Sequence, residues 1–150
     1  MTNAVNVAAL GSGPAFSAYL STNQSIGGGN TKIAFDTEVF DTNSNFNTTN
    51  YRFTPTVAGY YQFNTSIVSP GNLPLGAAQV WKNGGSPASC QIQGYQNGAS
   101  TNAYSCSTAG IFYMNGSTDY VEVYLYVSAS ATVSSNSNTT TFTGCLLRAA

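Results

Sequence analysis

Apolar residues in this chain recur at every second position, in short runs separated by turns. Phe16, Ala18 and Leu20 share one parity in Pro14–Leu20, and Ile33, Phe35 and Val39 mark the alternating stretch Lys32–Phe40. Tyr51, Phe53 and Val57 share a parity, and after Gly59 so do Tyr61, Phe63 and Ile67. The longest clean alternation is Tyr120–Val127, with Val121, Val123, Leu125 and Val127 facing one way and Tyr120, Glu122, Tyr124 and Tyr126 the other. A period of two is the pattern of a strand with one face in a core. Leu75–Trp81, Cys90–Tyr95, Tyr104–Met114 and Thr140–Leu147 are predicted as further strands.

The punctuation between these runs agrees. Gly27-Gly28-Gly29-Asn30 reads as a turn, Asp41–Asn50 as a loop anchored by Phe46, and Pro70, Gly71 and Pro74 as another loop. Lys82-Asn83-Gly84-Gly85, Asn97-Gly98 and Asn115-Gly116 are turn sequences whose Asn and Gly tolerate positive φ. No amphipathic helical period of useful length interrupts the strands. The pattern predicts an all-β fold, a two-sheet antiparallel sandwich with jelly roll as its leading subtype. Residues 1–13, dominated by Asn and Ala and ending in Gly11-Ser12-Gly13, read as an N-terminal arm before a single domain over 14–150.

Composition narrows the function classes. Of 150 residues, 42% are hydrophobic and only 6% charged, with a net charge of -1. An average domain is about 25% charged, so solubility here falls to Asn, Ser, Thr and Gly. Nothing steers the chain to nucleic acid or to anionic lipid. No apolar run approaches the roughly 20 residues of a membrane-spanning helix, and no secretory leader is expected at Met1–Leu10.

Candidate chemistry is sparse. Without histidine there is no Ser-His-Asp or Cys-His arrangement. A glycosidase pair would have to come from Asp36, Glu38, Asp41, Asp119 and Glu122. Asp36 and Glu38 read as solubilising charges, and Asp41 as a loop cap. Of the three cysteines, Cys145 is expected as a small core residue, while Cys90 and Cys106 could pair as neighbours on adjacent strands. The acids form no calcium loop, and a zinc site lacks ligands. Trp81, the sole tryptophan, is expected in the core or an interface, with sugar stacking as the alternative.

One constellation carries more. Phe35, Asp41, Phe46, Phe53, Gly59, Tyr61 and Phe63 stand at intervals that resemble the signature of the C1q/TNF-like globular domain, with Thr65 in place of its final aromatic. Pro14–Ala18 is similar to the family's first strand, Trp81–Gly84 to its Lys-Asn-Gly hairpin, Asn115–Val121 to the start of a late strand, and Phe142–Leu147 to its terminal strand. The resemblance implies a ten-stranded jelly roll that assembles as a homotrimer. It also implies a binding role without enzymatic activity or cofactor. No Gly-X-Y repeat is present, so assembly would come from the domain itself.

Tyrosines on a second sheet face suit a subunit interface, where each ring is buried and its hydroxyl stays hydrogen-bonded. Tyr60, Tyr120, Tyr124 and Tyr126 are the expected trimer-interface residues. The resulting expectation is a virion surface protein of a bacteriophage, either a capsid decoration (cement) protein or a fibre tip, with residues 1–13 attaching it to the major capsid or another virion protein. The alternative is a glycan- or receptor-binding adhesion module, in a tail fibre or secreted, that recognises a host-surface glycan through Asn72–Pro74 and Tyr95–Asn102.

Overall fold

The computed structural model describes residues 13–71, 75–85, 93–97 and 103–150, with backbone alone for 93–97 and 103–104. Thirteen strand segments and no helix occur among the described residues. They are β1 (Ala15–Tyr19), β2 (Gln24–Ile26), β3 (Gly29–Lys32), β4 (Thr37–Asp41), β5 (Phe46–Asn47), β6 (Arg52–Phe53), β7 (Gly59–Pro70), β8 (Leu75–Lys82), β9 (Gln93–Asn97), β10 (Ala103–Met114), β11 (Val121–Val127), β12 (Ala131–Val133) and β13 (Thr141–Ala149).

These strands form an antiparallel sandwich. The first sheet runs β10-β7-β13-β1-β4, and the second runs β5-β6-β11-β8-β9 with β3 also on β11. A small β12-β2 ladder lies at one end. The alternation in the sequence is what places the core. From the first sheet Phe16, Tyr61, Phe63, Phe112 and Phe142 point inward, and from the second Phe53, Val80, Val121, Val123, Leu125 and Val127 meet them. Phe16 is the hub: its ring lies 4.5 Å from Phe53, 4.9 Å from Phe142 and 5.0 Å from Phe46. Gly144 is glycine because a Cβ there would come within 2.5 Å of the Phe63 ring.

The structure corrects several expectations. Lys32–Phe40 is not one strand. Its chain leaves the second sheet after β3, crosses the sandwich, and joins the first sheet as β4. Ile33 and Phe35 are therefore buried at the crossing, whereas Val39 is 61% exposed. The Gln24 side chain holds the crossing, donating to Lys32 O (2.8 Å) and accepting from Ala34 N (2.9 Å). Cys145 is exposed, not a core residue. Phe142 and Gly144 take the inward parity of β13, so Cys145 must point out.

Against an expectation of ten strands, several of the thirteen segments are only two or three residues long. Lys82–Gly85 does turn, closed by Gly85 N on Lys82 O (3.1 Å) with φ of 56° at Asn83 and 65° at Gly84. Residues 1–12 of the predicted arm, Cys90 with its suggested pairing, Asn72–Pro74 and Gly98–Asn102 lie outside the described residues.

Candidate functional site

Each sheet has an outer face, and the two faces differ in chemistry. On the first sheet, register puts Tyr113 beside Tyr60, and Ile111 in a row with Gln62, Cys145 and Ala15. The next row is Ala109, Asn64, Thr143, Ser17 and Phe40, and beyond it come Ser107, Ser66, Thr141 and Tyr19. Apolar residues thus gather at the Ile111 end and hydroxyls at the other.

Among the described residues six large hydrophobic side chains are exposed: Val39, Phe40, Tyr60, Ile111, Tyr113 and Leu147. All six lie on the first sheet, in two places. Ile111, Tyr113, Tyr60 and Leu147 form a corner across β10, β7 and β13, where the Tyr60 and Tyr113 rings meet edge-on at 5.5 Å. Val39 and Phe40 stand on β4, the opposite edge of the same sheet.

The second sheet's outer face is polar and aromatic. Glu122 belongs to the outward parity of β11, yet it is only 2% exposed. Its Oε1 accepts from Arg52 Nη2 (2.7 Å) and Nε (3.1 Å) and from Lys32 Nζ. The register explains this convergence, since β6 sets Arg52 directly opposite Glu122 and β3 sets Lys32 opposite Tyr124. Trp81, opposite Glu122 on β8, stacks on Tyr124 at 3.8 Å and 18° between planes. The Arg52 guanidinium lies 3.9 Å over the Tyr120 ring. Burial, and after it the Glu122 charge, push the Tyr124 phenol above its ordinary value.

Three of the other acids, Asp36, Asp41 and Asp119, hold turns. Asp41 accepts from Phe46 N (2.7 Å) and Asn43 N (3.2 Å), which fixes the loop after β4. Asp36, expected to be a free charge, accepts from Ser21 N (2.8 Å) and Ser21 Oγ (2.7 Å). Asp119 accepts from Asn83 Nδ2 (2.8 Å) and Asn115 N (3.0 Å) and pairs with Lys82 (2.7 Å). Burial raises the Asp36 and Asp119 carboxyls, but the hydrogen bonds outweigh it and hold each below its ordinary value. Tyr61, deep in the core, donates to Val57 O (2.8 Å), and burial pushes its phenol up to about 12. Among the described residues no group of three or more His, Cys, Asp or Glu could hold a metal ion.

The sequence-predicted residues therefore separate. Phe35, Phe46, Phe53, Tyr61 and Phe63 are core, and Gly59 is buried under the Arg148 carbonyl and the Leu146 side chain. Tyr60 stands on the first sheet, whereas Tyr120, Tyr124 and Tyr126 belong to the second sheet's side, so the four do not share a surface. Sequence reasoning missed Val39, Phe40, Ile111, Tyr113 and Leu147, and the grouping of Lys32 and Arg52 around Glu122. The run Ile111-Phe112-Tyr113 held a usable signal: bulky apolar residues at both parities mark a strand covered on both sides.

The fold is similar to that of the globular domain of zebrafish complement 1qA protein (17% identity, 92% of this chain and 99% of that one, TM-score 0.68). It is similar also to murine APRIL (14%, 90% and 99%, TM-score 0.70) and to Eiger TNF from S. frugiperda (12%, 92% and 94%, TM-score 0.69). At these identities the likeness concerns the fold. No curated protein matches the chain in sequence. The C1q domain family model matches residues 15–147, nearly the whole described sandwich, and the chain therefore belongs to the C1q domain family.

Proposed function

We propose that this chain is a non-enzymatic homotrimer that serves as a surface protein of a virus particle, as a decoration protein or fibre tip of a bacteriophage. The observation that carries the trimer is that the six exposed large hydrophobic side chains among the described residues all lie on one sheet. Their division between opposite edges suits a head-to-tail contact, in which the Ile111 corner of one copy covers the Val39–Phe40 edge of the next. Such contacts close into a ring when the rotation between copies is one third of a turn. Covering the exposed half of each side chain contributes about 1 kcal/mol, hence roughly 6 kcal/mol per subunit before rim contacts.

The non-enzymatic reading is supported by the absence of histidine from the sequence and by the engagement of Asp36, Asp41, Asp119 and Glu122 in caps and ion pairs. The virion location is supported by composition: a 6% charged chain with an Asn, Ser and Thr surface suits a close-packed particle shell. Residues 1–13 would attach the trimer. Sedimentation equilibrium at micromolar concentration tests the assembly, and a folded species of 15.6 kDa alone would refute it. Cryo-EM of particles bearing the full chain or one lacking residues 1–13 tests the attachment, where unchanged occupancy counts against the arm.

A further inference from the structure

We infer that the second sheet's outer face carries a binding site for an acidic saccharide, formed by Arg52, Lys32, Trp81 and Tyr124 around the buried Glu122. One carboxylate oxygen takes donors from both cations. A guanidinium has five N–H groups and an ammonium three, so most of this donor capacity remains unengaged. The Arg52 and Lys32 side chains keep 31% and 25% of their surface in solvent. Two cations against one carboxylate leave the cluster with an excess positive charge, on a chain whose net charge is -1. That local excess is complementary to a single anionic group.

The cations are also held in place. Arg52 is fixed between Glu122 and the Tyr120 ring, and Lys32 by Glu122, so little side-chain entropy remains to be lost when an anion arrives. Beside them the Trp81–Tyr124 stack offers a second kind of contact. Trp81 Nε1 donates to Gln79 Oε1 (2.8 Å), which fixes the indole plane. Aromatic rings of fixed orientation favour the C–H face of a pyranose, an apolar surface with positive edges. A carboxylate or sulfate on that sugar would meet Arg52 and Lys32.

The cluster does not suit nucleic acid, whose repeated phosphates require a longer track of cations. On the proposed trimer this face lies opposite the association face, so three sites would point outward and weak single-site affinity would be multiplied on a surface. The site itself does not depend on assembly.

Trp81 is the only tryptophan, so its fluorescence reports this position alone. The probes are sialyllactose, digalacturonate and a sulfated heparin disaccharide, with lactose as the neutral comparison. At least one acidic probe is expected to change the emission saturably with a Kd of about 1 mM or tighter, at least about tenfold tighter than lactose, and to weaken as salt is raised. The combined substitution Lys32→Gln, Arg52→Gln and Glu122→Gln removes both cations without leaving a buried carboxylate unpaired, and is expected to weaken binding at least about tenfold. Saturable binding that the folded triple variant keeps unchanged overturns the site, as does no response to any acidic probe or an equal response to lactose. Should the triple variant not fold, the Trp81 indole N–H resonance of the unaltered protein decides: a saturating shift supports the site and an unmoved signal overturns it. Sedimentation of the same sample separates failure here from failure of the trimer.

Discussion

Placing one carboxylate at the apolar corner should dissolve the proposed trimer while leaving the subunit intact. Ile111 is 60% exposed on the isolated subunit, so Ile111→Asp removes little from the core. Subunit stability is expected to change by about 0.5 kcal/mol or less, as at other exposed sites. In the assembly the balance is different. Covering the exposed part of an isoleucine contributes about 1–2 kcal/mol, which the variant forfeits. The new carboxylate must also lose water without gaining a partner, a penalty of several kcal/mol. Each contact is then weakened by about 4 kcal/mol or more, roughly a thousandfold in affinity. Sedimentation equilibrium should show the unaltered chain at three times 15.6 kDa and the variant at 15.6 kDa, with the same far-ultraviolet circular dichroism. Phe40→Asp, on the opposite edge of the sheet, should have the same effect, because a head-to-tail contact uses both edges. A trimer that survives Ile111→Asp refutes the interface. A trimer that survives Phe40→Asp alone refutes the ring arrangement, since a corner-to-corner contact would not involve that edge.

Gly144→Ala would bring a Cβ within 2.5 Å of the Phe63 ring and 2.7 Å of Phe16, and is expected to cost about 1–3 kcal/mol or more in urea unfolding; an unchanged midpoint would contradict the ring packing. Asp119 is held below its ordinary value, so its contribution is complete above the unfolded-state value of about 4 and is lost as pH falls through the lower folded value. Asp119→Asn should therefore cost about 2 kcal/mol near pH 7 and progressively less toward pH 3, and a cost that stays constant over that range would contradict the network with Lys82 and Asn83. The Tyr61 phenol is raised, so its contribution is complete below about 10 and is lost as pH rises through about 12. Tyr61→Phe should lose about 1 kcal/mol at neutral pH with the bond to Val57 O, yet soften the alkaline loss of stability, as followed by denaturation at several alkaline pH values.

The strands were legible because alternation is a local property. Val121, Val123, Leu125 and Val127 can bury one face only by turning Glu122, Tyr124 and Tyr126 to the other, whatever the sheet. The family constellation was legible for a related reason, since most of its positions are core aromatics whose spacing follows strand parity. Strand neighbourhood was not local. Tyr60 and Tyr124 carry the same outward signature, yet β7 and β11 belong to different sheets, and only the ladder assigns each tyrosine to its surface. The grouping of Lys32, Arg52 and Glu122 was hidden for the same reason: 90 and 70 positions separate the two cations from the carboxylate, and β3 and β6 become neighbours only by sharing one edge of β11. Val39 misled because the Lys32–Phe40 alternation continues through a change of sheet, so its parity no longer indicates the core.

The two outer faces also bear on solubility. A chain with 6% charged residues has little electrostatic repulsion to keep copies apart, and among the described residues its apolar exposure is concentrated on one sheet bounded by the edge strands β10 and β4. Edges of this kind template further pairing unless they are covered. A head-to-tail contact that failed to close would join the same two patches into a filament. In the proposed trimer, closure after three copies would cover the patches of every subunit at once and leave the Asn, Ser and Thr surface and the Trp81 face outward. On the proposed trimer, closure would thus also keep the protein dispersed: the interface variants with a carboxylate at residue 111 or 40 should remain soluble as monomers, because the introduced charge replaces the cover that the neighbouring copy would supply.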